Sequence, residues 1–431
     1  MTTTRQCPAL FIAAPASGQG KTTLTAALAR YHRDCGLRVR VFKVGPDFLD
    51  PMILEQASSQ SVYQLDLWMG GERHCRQLLF DAAGAADLIL IEGVMGLFDG
   101  EYSSADLAML LEIPVLLVID GSAMAQTFGA LAHGLASYRP NLPVAGVFAN
   151  RLAGRGHYQM LMDSLPPALG SLGWLPRDAA IAMPERHLGL VSGNEIPDLE
   201  ARICKASTAI QALRDEPPAA VTFRRQKPDK PESILSGQTI AVARDTAFCF
   251  LYRANIELLE ALGAQLHFFS PLTDTDLPRA DALYLPGGYP ELYMTELAAN
   301  TSMHCAIRNH HRAGRPILAE CGGMLYLLES LTDAQGKRVP MLGLLPGHGV
   351  LQTKLVNIGM HSLQLPGCGT LRGHSFHYSK LDCPLTPTAH SRPAKKYGTA
   401  EPVYQDGQLT ASYLHLYFPA NPLATTGLFY P

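Results

Sequence analysis

The chain has 431 residues, of which 47% are hydrophobic, and a formal charge of −3 at pH 7. That length exceeds one ordinary core and predicts two globular domains, while the near-neutral charge removes the electrostatic basis for nucleic acid or an anionic membrane as principal partner. No apolar run is long enough to span a membrane, Met1–Pro8 lacks signal-peptide form, and the nine cysteines are scattered and never in a C-x-x-C pair; a cytoplasmic protein without a disulfide framework or zinc knot is expected.

The apolar run Ala9–Ala14 predicts a strand that leads through Pro15-Ala16-Ser17-Gly18-Gln19-Gly20-Lys21-Thr22-Thr23 into a helix from Leu24. Strand, glycine-containing turn and helix is the order of a phosphate-binding loop. Successive backbone N–H groups curl around a phosphate, the helix N-terminus adds its positive end, Lys21 reaches the outer phosphates, and the Thr22 hydroxyl can ligate Mg²⁺. Ser17, Gly18, Gln19, Gly20, Lys21, Thr22 and Thr23 are therefore the expected ATP contacts. Pro15 stands where the usual pattern has its first glycine; it fixes φ and removes a donor, so the loop entrance must be shaped differently.

A second buried strand, Val39–Val44, runs into Gly45-Pro46-Asp47-Phe48-Leu49-Asp50-Pro51, and a third, Asp87–Ile91, into Glu92 and the glycine-rich stretch that contains Asp99. Ligands of open parallel sheets bind at the carboxyl ends of strands. Asp47 and Glu92 are accordingly expected beside Thr22 at Mg²⁺, with Asp50 and Asp99 near the phosphoryl group in transfer. The strand Pro114–Asp120, a small-residue helix from Ala123 to about Leu135, and the strand Val144–Ala149 follow, the last ending at Asn150, a candidate reader of the purine edge. Leu172–Pro176 predicts a further strand, and 184–190 a polar loop. Charge and proline concentrate between Glu216 and Gln238. The expected division is a first domain over 1–215, a linker over 216–238 and a second domain over 239–431.

Beyond the linker the strand pattern resumes at Thr239–Ala243, Gln265–Phe269 and Ala282–Leu285, with a helix at about Tyr252–Leu262 between the first two. Ala282–Leu285 opens into Pro286-Gly287-Gly288-Tyr289-Pro290-Glu291. The strand Pro316–Glu320 turns at Cys321-Gly322-Gly323 into the helix from Met324, the layout of a nucleophile elbow with Cys in place of Ser. There a helix N-terminus favours thiolate, and the following N–H groups can serve an oxyanion hole. The base should be a distant His at a strand end, and His415, closing the run Leu409–His415, fits. His374 and His377, in a polar loop over 373–379, are rival bases.

The carboxyl half resembles class I glutamine amidotransferases. The resemblance implies that Cys321 is the nucleophile and His415 its base, with Gly287, Gly288 and Gly322 at the oxyanion and glutamine. The amino half resembles the dethiobiotin synthetase-like P-loop ligases. Both halves in this order, with the motifs at 45–51, 92–100, 184–190 and 373–379, resemble the cobyrinic acid a,c-diamide synthase family over nearly the whole chain. The implied fold is α/β in two domains, a parallel-sheet P-loop domain followed by an amidotransferase domain. The implied reaction is ATP- and Mg²⁺-dependent amidation of two acetate side chains of a corrinoid with ammonia from L-glutamine, by a chain for which a homodimer is the default assembly. One departure concerns the imidazole. Many class I members carry His-x-Glu, the acid orienting the His; here Tyr417 occupies that place, so Cys321 and His415 are read as a dyad, with slower glutaminase chemistry or another orienting group as the consequence. Cobyric acid synthases and nickel sirohydrochlorin a,c-diamide synthases are the neighbouring alternatives. A partitioning-type ATPase switch is a third, but it would leave the Cys321 elbow unexplained.

Overall fold

The computed structural model describes residues 3–183, 196, 198–213, 217–226 and 231–430. They form two compact units.

In chain order the first unit contains β1 (Thr4–Ala13), α1 (Lys21–Asp34), β2 (Val39–Val44), α2 (Leu49–Ser58), β3 (Tyr63–Leu65), α3 (Gly71–Ala83), β4 (Leu88–Glu92) and α4 (Ser104–Leu111). It continues with β5 (Val115–Asp120), α5 (Thr127–Ser137), β6 (Val144–Leu152), α6 (Arg155–Met162), β7 (Ser171–Pro176), α7 (Leu199–Ala209) and β8 (Ala220–Arg224). The strand order is β3-β2-β4-β1-β5-β6-β7, every pair parallel. Strands covered on both faces read as continuous apolar runs, which is why Leu88–Ile91 and Val115–Ile119 carry no polar residue. Leu24, Leu28, Ile53, Leu54 and Ile203, from α1, α2 and α7, share one core cluster with Leu10, Val41 and Leu90 of the sheet. The central strand β1 delivers the chain to the carboxyl edge of the sheet, where the loop 14–20 begins.

The expected linker is in part structured. Residues 220–224 form β8 and pair antiparallel with the outer half of β1, Thr4 opposite Arg224 through Pro8 opposite Ala220. The alternation Val221 and Phe223 in, Ala220, Thr222 and Arg224 out is a short edge-strand signal that the flanking prolines and charges obscured. The expected loop at 184–190 lies outside the described residues.

The second unit contains β9 (Thr239–Ala243), α8 (Arg253–Ala261), β10 (Gln265–Phe269), β11 (Ala282–Leu285), α9 (Met294–Ala299), α10 (Thr301–Arg312), β12 (Ile317–Glu320) and α11 (Gly322–Leu327). After these come β13 (Leu328–Thr332), β14 (Arg338–Pro340), β15 (Leu345–Leu351), β16 (Asn357–Leu365), β17 (Gly369–His377) and β18 (Ser379–Asp382). The last elements are β19 (Ala389–His390), β20 (Arg392–Pro393), β21 (Pro402–Asp406), β22 (Leu409–Ser412), β23 (His415–Tyr417) and α12 (Pro422–Thr426). The main sheet runs β10-β9-β11-β12-β22-β21-β19, parallel as far as β22 and antiparallel beyond it. Two four-stranded sheets, β14-β13-β15-β18 and β20-β16-β17-β23, complete the unit.

Two expectations change here. The run Leu409–His415 is not one strand: β22 ends at Ser412 in the main sheet, and His415 opens β23 in a different one. Residues 373–379 are not a loop but mostly the buried end of β17, with His374, Ser375 and His377 at most 7% exposed. Polar residues can lie in a buried strand when they satisfy one another, which a composition reading does not detect.

A buried cation ties three helices of the first unit. Arg30 of α1 is 2% exposed and donates to Ala57 O (3.2 Å) and Gln56 O (3.0 Å) at the end of α2, and to Glu200 Oε2 (2.9 Å) on α7. Arg30→Met keeps the stem volume but strips donors from the buried Ala57 carbonyl and from that of Gln56. It is expected to destabilise the protein by about 1–3 kcal/mol, read as a lower denaturant midpoint; an unchanged midpoint would refute the clamp.

Candidate functional site

Chemistry-bearing residues gather at one place in each unit. In the first unit, Gly18 and Gly20 hold φ of +77° and +91°, so the left-handed turns of the loop fall at its two glycines. The chain therefore needs no glycine at Pro15. A Cβ on Gly20 would lie 2.2 Å from Asn150 Nδ2. That amide donates to Gln19 O (2.8 Å), and Gln19 Oε1 accepts from Asp120 N (2.9 Å), so the ends of β5 and β6 fix the loop from both sides. Asn150 is thus a loop anchor in this structure. Ser17 and Gly18 are exposed at the loop, and Thr22 and Thr23 occupy the first turn of α1.

Lys21 is buried, and its Nζ donates to Met95 O (2.6 Å) and Ala16 O (3.1 Å). Desolvation, followed by the neighbouring Lys43 charge, lowers its pKa to about 8. The 93–100 stretch that supplies Met95 O packs on the loop entrance: Leu97 N donates to Ala14 O (2.8 Å), and a Cβ on Gly96 would be 2.6 Å from Pro15 O. Asp99 Oδ2 accepts from Gly96 N (3.0 Å) and closes this turn.

The carboxylates separate into two roles. Thr22 Oγ1 donates to Glu92 Oε1 (2.8 Å), and Lys43 Nζ lies 3.0 Å from both Glu92 Oε1 and Asp50 Oδ2. Asp47 caps α2, its Oδ1 accepting from Leu49 N (2.7 Å) and Asp50 N (3.1 Å). Desolvation pulls the Lys43 pKa down, but the Glu92 and Asp50 charges outweigh it and keep the buried amine an ammonium. Sequence reading missed Lys43. Its signal was a lysine inside the otherwise apolar run of a parallel strand, where an unpaired charge would be costly.

The residues fit Mg²⁺. Glu92 is 0% exposed, and its Oε2 accepts no hydrogen bond from a described residue, while Oε1 adjoins the Thr22 hydroxyl. Among the described residues no three His, Cys, Asp or Glu side chains form a metal cage. A phosphate-transfer Mg²⁺ uses few protein ligands and takes the rest from phosphates and water.

In the second unit, Cys321 sits between β12 and α11 with φ +44° and ψ −105°, a conformation rare for a residue with a Cβ. Its N–H donates to Ser412 O (2.7 Å). The surrounding glycines leave no space for side chains: an added Cβ would lie 2.9 Å from Gly288 N at Gly322, 2.0 Å from Ala247 O at Gly288, and 2.3 Å from His415 Cε1 at Gly287. Elbow, glycine turn and imidazole therefore interlock, and the structure brings Gly287, Gly288, Gly322 and His415 into one cluster at Cys321.

His415 is held by packing. Its ring stacks on His374 at 4.9 Å and 22°, and meets Phe250 edge-on at 5.8 Å. Burial pushes the Cys321 thiol well above its usual pKa, with Glu291 adding to the effect, and pushes His415 down to about 3, with His377 adding. The pair at neutral pH is a neutral thiol and a neutral imidazole. The helix N-terminus does not win, because α11 is only six residues long and the thiol is 6% exposed. The other two histidines are part of a polar network. His374 Nδ1 meets Tyr252 Oη at 3.0 Å, while His377 Nε2 meets Glu401 Oε1 at 3.0 Å, its ring lying flat on Tyr413 at 3.6 Å. Ser375 and Asn357 also donate to Glu401. Glu401, 26 residues from Ser375 in sequence, could not have been joined to these groups by local reading.

Comparison with known proteins agrees with this division. Residues 10–191 match the family described as the CobQ/CobB/MinD/ParA nucleotide binding domain, and residues 239–423 the CobB/CobQ-like glutamine amidotransferase domain. The hydrogenobyrinate a,c-diamide synthase of Stutzerimonas stutzeri is 58% identical over 100% of both chains, and that of Pseudomonas aeruginosa 56% identical over 100% of this chain and 99% of its own. A cobyrinate a,c-diamide synthase of Herminiimonas arsenicoxydans is 48% identical over 98% of this chain and 96% of its own. Identity of this order along the full length, with a phosphate loop in one unit and a cysteine elbow in the other, shows that the chain belongs to the hydrogenobyrinate and cobyrinate a,c-diamide synthase family.

Proposed function

We infer that this chain is a carbon–nitrogen ligase that amidates the a and c acetate carboxylates of hydrogenobyrinate, using ATP and taking ammonia from glutamine. The observation that carries the reading is the pairing, in one chain, of the Thr22–Glu92–Lys43–Asp50 cluster at a phosphate loop with the Cys321 elbow and His415. The full-length likeness to two hydrogenobyrinate a,c-diamide synthases supports the substrate.

In the second unit, Cys321 Sγ attacks the side-chain amide carbon of glutamine while the neutral His415 takes the thiol proton and passes it to the departing nitrogen. Ammonia leaves and a thioester forms. Water, deprotonated by the same imidazole, then releases glutamate and restores the thiol. The N–H groups of Gly288 and Gly322 are the proposed donors to the oxyanion.

In the first unit, a carboxylate oxygen of the corrinoid takes the γ-phosphoryl group of ATP, leaving ADP. Ammonia then attacks the carbonyl carbon of the acyl phosphate and expels phosphate. The loop 17–20 cradles the phosphates, and Lys21 must leave Met95 O to reach the outer ones. Lys43 offers a fixed positive charge beside the transferring group, and Asp50 and Glu92 hold it there. Thr22 and Glu92 are the proposed Mg²⁺ ligands; the ion when bound neutralises phosphate charge. Asp47 supports this arrangement as the cap that starts α2, and Asp99 by closing the turn over the loop entrance.

The deciding experiment is mass spectrometry of hydrogenobyrinate incubated with the protein, Mg-ATP and glutamine, with cobyrinate as a parallel arm. Two carboxylate-to-amide conversions are expected. Cys321→Ser should make no product from glutamine but recover product with ammonium salts. A wild-type protein that leaves both corrinoids unchanged with either nitrogen source would overturn the assignment. Chelation of Mg²⁺ should stop amidation from either source while glutamate release from glutamine persists, because the two chemistries use separate groups. Lys43→Met is expected to lower ammonia-dependent amidation by about 100-fold or more, with glutaminase activity retained; equal rates for variant and wild type would remove Lys43 from the mechanism.

A further inference from the structure

The imidazole of His415 lies on a strand of only three residues, and a glutamate from β12 accepts a hydrogen bond from that strand's backbone. β23 pairs with β17 along one edge, His374 opposite His415 and Gly373 opposite Leu416. On its other edge the N–H and C=O of Leu416, 3% exposed, have no strand beside them among the described residues. Glu320 Oε1 accepts from Leu416 N (2.9 Å), and Asn255 Nδ2 donates to Leu416 O (2.8 Å). Asn255 Oδ1 also accepts from Phe418 N (2.8 Å). Two side chains thus replace a missing neighbour strand at the residue next to His415. They are buried, Glu320 to 2% and Asn255 to 0% exposure, so water cannot substitute for either.

Glu320 also links the other parts of the site. It immediately precedes Cys321, and its Oε2 accepts from Tyr284 Oη (2.8 Å) on β11, the strand that opens into the glycine turn at 287–288. One carboxyl group therefore connects the nucleophile strand, the strand before the glycine turn and the imidazole strand. A register slip of one residue in β23 would turn His415 to the opposite face.

We propose that Glu320, acting with Asn255, is the positioning residue of the glutamine site. It fixes His415 through the backbone of Leu416, the task given in many class I amidotransferases to an acid two residues after the histidine, where this chain has Tyr417. The role is geometric: it needs an acceptor at Oε1 and a polar partner for Tyr284. Burial raises the Glu320 carboxyl to about 8, in keeping with a group that works without a full negative charge. The inference rests on the glutaminase reading given above.

The test compares full-length wild type, Glu320→Ala, Glu320→Gln and Asn255→Ala for glutamate release and for amidation driven by glutamine or by ammonium salts. Glu320→Ala is expected to lose about 100-fold in glutamine-dependent kcat, the scale of a misplaced catalytic group, with KM for glutamine changed less than about threefold. Its ammonia-dependent amidation should stay within about twofold of wild type. Glu320→Gln keeps an acceptor for Leu416 N and a donor for Tyr284, and should retain at least about a third of kcat; Asn255→Ala should show the same split as Glu320→Ala, by about tenfold. Full glutaminase activity in Glu320→Ala would overturn the proposal, as would equal damage in Glu320→Gln, which would mean that charge is required. Loss of both nitrogen sources together would also overturn it, by showing a role in the whole fold. Should Glu320→Ala not fold, Glu320→Gln and Asn255→Ala decide by the same criteria. Wild type that releases no glutamate would instead remove the glutaminase reading beneath the proposal, an outcome visible without any variant.

Discussion

Each unit takes a glutamate out of water at the last residue of a parallel strand, and the geometry of each site depends on how that carboxyl group is satisfied. Glu92 ends β4 and Glu320 ends β12; both are at most 2% exposed. An isolated carboxylate in such a position would be strongly destabilising, so partners must converge on it. At Glu92 the partners are the Lys43 ammonium and the Thr22 hydroxyl, which draw β2, β4 and the start of α1 to one point. At Glu320 they are Tyr284 Oη and the N–H of Leu416, which draw together β11, β12 and β23. The first group contains the Lys43 ammonium, whereas the partners of Glu320 are a hydroxyl and an N–H, and that difference suits phosphoryl transfer in one unit and thiol chemistry in the other.

The electrostatics of the cysteine site follow from burial more than from any nearby charge. With the thiol pushed up and the imidazole pushed down, neither carries charge before glutamine enters. In the proposed reaction, proton transfer accompanies attack. A preformed thiolate–imidazolium pair would have demanded solvation that the packed glycines and aromatic rings do not provide. The same close packing explains the glycines themselves: at Gly287 and Gly288 a methyl group would overlap His415 or the backbone of Ala247. Precision here comes from absent side chains.

Much of this was legible in the residues. Continuous apolar runs marked the parallel strands, and the glycine loop, the acids at strand ends and the Cys-Gly-Gly turn marked both sites. Local reading was misled where polar residues satisfy one another across the fold. His374, Ser375 and His377 read as a loop because their side-chain partners, Tyr252 and Glu401, are distant in sequence. Val221 and Phe223 read as linker because prolines and charges surround them, yet β1 offers an edge for their alternation. Asp47 and Asp50, three residues apart, looked equivalent; the turn between them makes one a helix cap and aims the other at Lys43.

The sequence by itself determined the chemistry available: a phosphate loop at 17–23, a cysteine at the 321 elbow, a histidine at 415 and the order of two α/β units. Those features are local, since a turn and its neighbours fix which backbone N–H groups and side chains are presented together. Tertiary structure alone decided protonation and orientation. Whether Cys321 is thiol or thiolate, whether Lys43 is charged, and what aligns His415 without an acid at Tyr417 depend on desolvation and on partners tens to hundreds of residues away. Burial and long-range hydrogen bonds are properties of the packed chain, and no spacing along the sequence encodes them.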